Sequence, residues 1–144
     1  MPLHTTKEGE DKFVPTGLHW QVAQATSLEK VKFKMPTTHP DGPVTHVGVF
    51  TENGSGGFAA DVEFEGGNIG WRIGSQQFTL RSLKFRNCIT AIQMIWDWGF
   101  NWQDIDIQGG TVAFDISANG GIDGQGTGSI SIMGEPPSFQ LLLI

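Results

Sequence analysis

The chain has 144 residues, enough for one domain, with 20 glycines, 7 prolines and a net charge of −6. The negative balance argues against nucleic acid as a partner, and no apolar run is long enough to cross a bilayer. Cys88 stands alone, which excludes an internal disulfide, and its place just after a strand reads as a small buried residue.

Glycine and proline at this frequency favour many turns over long helices. Residues 1–16 read as a charged, irregular lead-in without the apolar core of a signal peptide. Gly17 to Ser27 follows as an entry strand and turn. From Thr26 to Met35, Leu28, Val31 and Met35 could share one helical face, but a strand pattern outweighs that period. Val31-Lys-Phe33 is apolar, polar, apolar. Val62-Glu-Phe64, Leu83-Lys-Phe85, Ile105-Asp-Ile107 and Ile130-Ser-Ile132 repeat it at steps of 31, 21, 22 and 25 residues. These steps are too short for strand-helix-strand units and suit a solenoid whose coils stack strand on strand. The PTTHPDGP loop at Pro36–Pro43 accounts for the long first step.

Aligned in this way, the two inward columns are wholly apolar. The column between them reads Lys32, Glu63, Lys84, Asp106, Ser131, so stacked charges change sign or vanish. The column before reads Lys30, Asp61, Ser82, Asp104, Ser129, and the column after reads Lys34, Glu65, Arg86, Gln108, Met133. Neighbouring parallel strands lie about 4.8 Å apart, so opposite charges in a column attract. A second strand per coil aligns Gly48-Val-Phe-Thr51, Gly70-Trp-Arg-Ile73, Ala91-Ile-Gln-Met94 and Ala113-Phe-Asp-Ile116. Its small leading residues suit a tight corner. The third side of each coil has no placement from sequence. Glycine pairs at Gly66, Gly109 and Gly120 mark turns, and Gly134 to Ile144 breaks the pattern. The reading is all-β: a parallel β-helix of about five coils over 17–133, with an atypical tail at 134–144.

The strings GLHWQVAQATSLEKVKF, HVGVFTENGSGGF and GNIGWRIGSQQFTLRSLKFRNCITAIQMIWDWGFNW resemble the fungal exo-β-1,3-glucanases of glycoside hydrolase family 55, in the pectate-lyase-like β-helix superfamily. The resemblance runs from about Gly17 to Met133. It implies tandem right-handed parallel β-helices with a glucan cleft between them, an inverting exo-hydrolysis of β-1,3-glucan, and an extracellular enzyme without a cofactor. It implies that the general acid lies in a second β-helix, so that this chain carries no catalytic residue. The chain is expected to be a fragment of such an enzyme that partners a second β-helix. The alternative is a non-catalytic β-helix module that binds glucan or a partner β-helix. A pectate-lyase-like enzyme would need a calcium cluster and a basic catalytic residue, and neither stands out.

Gln24 and Gln76 lie seven residues before Val31 and Leu83, and Ser55 lies seven before Val62. The alignment therefore stacks them as one polar row. Amides and hydroxyls both donate and accept, so such a row can hold sugar hydroxyls. The family resemblance adds a water-positioning role, and an internal amide ladder is the structural alternative. Trp96, Trp98 and Trp102 cluster in WDWGFNW. Trp96 and Trp98 are candidate sugar platforms, whereas Trp102 reads as corner packing. Asp104 and Asp106 share a strand face and read as solvated charges. Asp97 and Glu52 lie near the same corner without an acid partner. Asn53-Gly-Ser55 is a glycosylation sequon whose glycan would obstruct Ser55. No metal site is expected. Gly120-Gly-Ile-Asp-Gly124 is one weak calcium-roll copy, and His19, His39 and His46 lack ligand spacing.

Overall fold

A computed structural model describes residues 3–7, 10–21, 24–117 and 130–134. Among them every regular element is a strand. They are β1 (Leu3–Lys7), β2 (Glu10–Val14), β3 (Thr16–Gln21), β4 (Thr26–Glu29), β5 (Lys32–Lys34) and β6 (Val47–Glu65). β7 (Ile69–Arg86), β8 (Thr90–Trp98), β9 (Phe100–Gln108), β10 (Val112–Asp115) and β11 (Ile130–Met133) complete the series. β1 and β2 pair antiparallel, so the lead-in expected to be irregular is a hairpin. Its register sets Lys7 opposite Glu10, and threonines at 5 and 6 favour extended backbone.

All pairings between strands from β3 onward are parallel, and they build a β-helix. Among the described residues, four successive coils have three sides and a fifth has two. The first side stacks β3, the start of β6, the start of β7, β8 and β10. The second stacks β4, Gly57–Ala60, Phe78–Arg81, Phe100–Gln103 and β11. The third stacks β5, Val62–Glu65, Leu83–Arg86 and Ile105–Gln108.

The column Val62, Leu83, Ile105 stands in the expected register. Ile130 and Ile132 do not continue it. They pair with Phe100 and Trp102, on the second side. An apolar-polar-apolar triplet fits any side of a coil. The step that matters here is Trp102 to Ile132, which is long because the fifth coil takes more residues between its first and second sides than the third or fourth.

The column Lys30, Asp61, Ser82, Asp104 is not part of a strand alternation. All four residues have φ between 52° and 55° and form the corner between the second and third sides. Ala25, Gly56, Gln77 and Gly99 make the corner between the first and second in the same way, with φ from 54° to 77°. Left-handed backbone at one residue turns the chain, and Gly56 and Gly99 adopt it without the steric cost other residues meet.

On the third side the charge columns make contacts. Lys32 Nζ lies 3.4 Å from Glu63 and 3.2 Å from Glu65, and Lys84 Nζ lies 3.6 Å from Glu63. Asp106 is in register with Lys84, but its ion pair is with Arg86. These exposed pairs contribute little stability each, typically about 0–1 kcal/mol. They do not choose the register, since Lys32 would meet an acidic residue at Asp61, Glu63 or Glu65 alike; a one-residue slip is penalised because it would turn Val62 and Phe64 outward.

The interior explains the small column on the first side. Phe33, Phe64 and Phe85 stack ring on ring, with centroids 5.2 and 4.7 Å apart. Each ring faces a glycine across the coil. A Cβ on Gly17, Gly48 or Gly70 would lie 2.9, 2.7 or 2.6 Å from the ring of Phe33, Phe64 or Phe85. In the next coil isoleucine (Ile107) takes the phenylalanine place and alanine (Ala91) the glycine place. Volume lost on one side is regained on the other, as close packing requires. Cys88 is buried as expected, and burial pushes its thiol up to about 11.

Phe85 is fully buried. Truncating it to alanine should cost roughly 3–5 kcal/mol in urea unfolding of the chain, and a loss below about 1 kcal/mol would contradict this packing.

Candidate functional site

The corner between the first and second sides brings the predicted polar row together. Ser55 is in register with Gln76, and Gln76 with Trp98. Gln24 joins the row from the coil below, because the amide of Ala25 bonds to the carbonyls of Ser55 and Gly56. Gln76 Nε2 donates to Ser55 Oγ at 2.6 Å. Ser55 keeps its own hydroxyl proton for another partner, and Gln76 keeps its carbonyl oxygen.

Two irregularities shape this corner. The register shifts between Glu52 and Ser55, and again between Ile73 and Gly74. At the second shift Ile95 and Trp96 together oppose Gly74. Such a bulge re-aims a side chain. Trp96 swings across Gly74, where a Cβ would lie 2.6 Å from its ring. Trp96 and Trp98 then meet edge to face, with centroids 5.9 Å apart. Trp98 is 51% exposed, whereas Trp102 is fully buried and stacks on Phe100. Trp96 is half-buried, between these two extremes.

Asp97 lies between the two tryptophans but points inward over Ser75. It is fully buried, and neither carboxylate oxygen has a hydrogen-bond partner. It cannot reach a ligand on the outer surface. Asp104 sits at the far corner and Asp106 on the charged third side, so neither joins the polar row. Asn53 is exposed with φ of 61°, and its carbonyl accepts from Ser75 Oγ. Among the described residues no group of three or more acidic, histidine or cysteine side chains could hold a metal ion. The calcium-roll-like stretch at Gly120–Gly124 and the tail after Gly134 lie outside the described residues.

Three contributors were not singled out from sequence. Ser75 is buried and donates to the carbonyls of Asn53 and Gly54, which pins the loop that carries Ser55. Gly74 leaves the space that Trp96 fills. His19, considered only as a metal ligand, lies 3.0 Å from Glu52 Oε1 through Nε2. The ring of Phe50 stacks on His19 at 4.9 Å and carries the Arg72 guanidinium at 5.6 Å. Burial lowers the Arg72 pKa, and the neighbouring Glu52 charge opposes that shift.

The sequence profile of the rhamnogalacturonase A/epimerase, pectate lyase-like family matches residues 3–115. The chain belongs to that family. Among its relatives, a "Probable glucan endo-1,3-beta-glucosidase" of Arthroderma benhamiae is 44% identical over 125 residues, 87% of this chain and 14% of its own length. A "Glucan 1,3-beta-glucosidase" of Cochliobolus carbonum is 39% identical over 116 residues, 81% of this chain and 14% of its own. A "Non-secreted LysM effector LysM15" of Penicillium expansum is 42% identical over 134 residues, 91% of this chain and 9% of its own. The chain thus spans about a seventh or less of these relatives. The two glucosidase names agree with the resemblance to the family 55 glucanases.

The contrast between the tryptophans is testable. Trp98→Ala should change the unfolding free energy by less than about 0.5 kcal/mol. Trp102→Ala should cost roughly 3–5 kcal/mol in the same urea titration.

Proposed function

We propose that this β-helix supplies one wall of a β-1,3-glucan site in an inverting glucan hydrolase. The observation that carries the reading is the single row of Gln24, Ser55, Gln76 and Trp98 at one corner, with Trp96 beside it. The glucosidase names of two relatives support the substrate class. In this reading Trp98 packs against the apolar face of a glucosyl ring. A water molecule donates one proton to the Gln76 carbonyl oxygen and accepts the Ser55 hydroxyl proton, which leaves its second proton for a base. Its other lone pair is then free to face the anomeric carbon. Inversion also needs a general acid on the leaving oxygen and a base for the water, with about 6.5–9.5 Å between the carboxyls. Those groups come from a second β-helix, the partner this reading requires. An extracellular location is part of the same proposal. Among the described residues no helix is long and apolar enough to cross a membrane.

A second reading has its own support. The same stretch occurs in relatives named as LysM effectors, where it covers only 9% of the chain. Here the β-helix is a non-catalytic module that binds glucan or a partner β-helix.

Glucose release from laminarin separates the two. The chain alone should release none. Mixed with the second β-helix of a related glucanase, it should gain activity that Gln76→Ala and Ser55→Ala each reduce by at least tenfold. Binding of laminarin without turnover in the mixture would favour the module. Turnover by the chain alone would show that the acid has been misplaced.

A further inference from the structure

The outer surface of the first side carries a carboxylate that the reading above leaves unused. Glu52, Gly74 and Trp96 are register partners on three successive coils. Strand alternation sends Glu52 outward, because Thr51 before it is buried and bonded by Trp71 Nε1. Glu52 and Trp96 are therefore two rungs apart, but Gly74 between them has no side chain. The indole of Trp96 occupies that gap, within 2.7 Å of where a Gly74 Cβ would stand. This draws the ring one rung closer to the carboxylate.

The carboxylate is also held in place. His19 Nε2 donates to Glu52 Oε1 at 3.0 Å, so this nitrogen carries the proton. His19 is in turn fixed by stacking on Phe50, which is buried between it and Arg72. The side chain of Glu52 stays about one third exposed. A carboxylate fixed through one oxygen presents the other to ligand hydroxyls, and charge-assisted hydrogen bonds are about twice as strong as neutral ones. An aromatic face beside it suits the C–H surface of a pyranose.

We propose that Glu52 and Trp96, spaced by Gly74, grip a glucosyl unit next to the Ser55–Gln76–Trp98 row, with Glu52 accepting hydrogen bonds from its hydroxyls. The proposal rests on the glucan reading and adds a specificity-determining carboxylate to it. An acceptor-only group favours a ligand rich in hydroxyl donors and disfavours an acidic sugar.

Calorimetric titration of the chain with laminaritriose tests it, using Trp98→Ala, Glu52→Gln, His19→Gln and Gly74→Ala. Glu52→Gln preserves shape and can still accept from His19, so it should leave the melting temperature within about 3 °C. It should weaken binding at least tenfold. Gly74→Ala displaces the indole and should weaken binding to a similar degree. His19→Gln retains an N–H donor and should stay within about threefold of the parent. If the parent binds and Trp98→Ala weakens it while Glu52→Gln binds within twofold, the proposal is overturned and the glucan reading stands. If Glu52→Gln and His19→Gln lose binding together with melting temperature, Glu52 is structural and the proposal is again overturned. If the parent binds laminaritriose neither alone nor mixed with the second β-helix of a related glucanase, the glucan reading fails and takes the proposal with it.

Discussion

The fold depends on a steric match across the coil. A stack of phenyl rings on the third side needs the absence of side chains on the first. Phe33, Phe64 and Phe85 each press on a glycine, and those glycines lie within contact of carbonyl oxygens on the next rung. No single coil could bury these rings. Phe64 is sandwiched between Phe33 and Phe85, so stability accumulates by stacking, as in other solenoids. The same constraint fixes register, because a one-residue slip would drive a ring into a side chain or out to solvent.

Where this packing relaxes, the surface becomes specialised. The corners that flank the second side turn on a left-handed residue, which leaves the chain free to add residues there without disturbing the stack. The insertions after Glu52 and at Ile95 both fall at the corner between the first and second sides. They turn what would be a plain polar ladder into a row flanked by two indoles. Buried Ser75 anchors the inserted loop from inside. Core and site are thus built from the same strands. Residues 49, 71 and 92 face the interior, while 52, 74 and 96 shape the outer surface.

Much of this was legible in the sequence because parallel stacking repeats at short, nearly constant steps. The columns of Val62, Leu83 and Ile105, and of Ser55 and Gln76, follow from counting. Counting fails where a triplet fits more than one side, and Ile130-Ser-Ile132 was placed on the wrong one. It also misses corners, since nothing in Lys30 or Ser82 announces a positive φ. The second side was hidden because its residues differ most between rungs, with Ala59, Leu80 and Trp102 in one column. The His19–Glu52 pair was missed for another reason. His19 sits 33 positions away and one row off, so only the three-dimensional tilt of the side chains joins them. Asp97 lies near the corner of the polar row in the sequence, between Trp96 and the exposed Trp98. The strand alternation turns it inward, and its paired neighbours outward.

The family match extends over most of the described chain, and the relatives that share it carry different names. A β-helix segment of this kind is a rigid frame on which one corner can be adapted to a ligand, because fold and site are set by different residues. The account's central claim is that this corner receives a β-1,3-linked glucan. A crystal structure of the chain with laminaritriose tests it most directly. The account predicts a glucosyl ring on Trp98, with hydroxyls or a bound water bonded to Ser55 and Gln76. Sugar bound instead on the charged third side, or nowhere on the chain at saturating concentration, would contradict it.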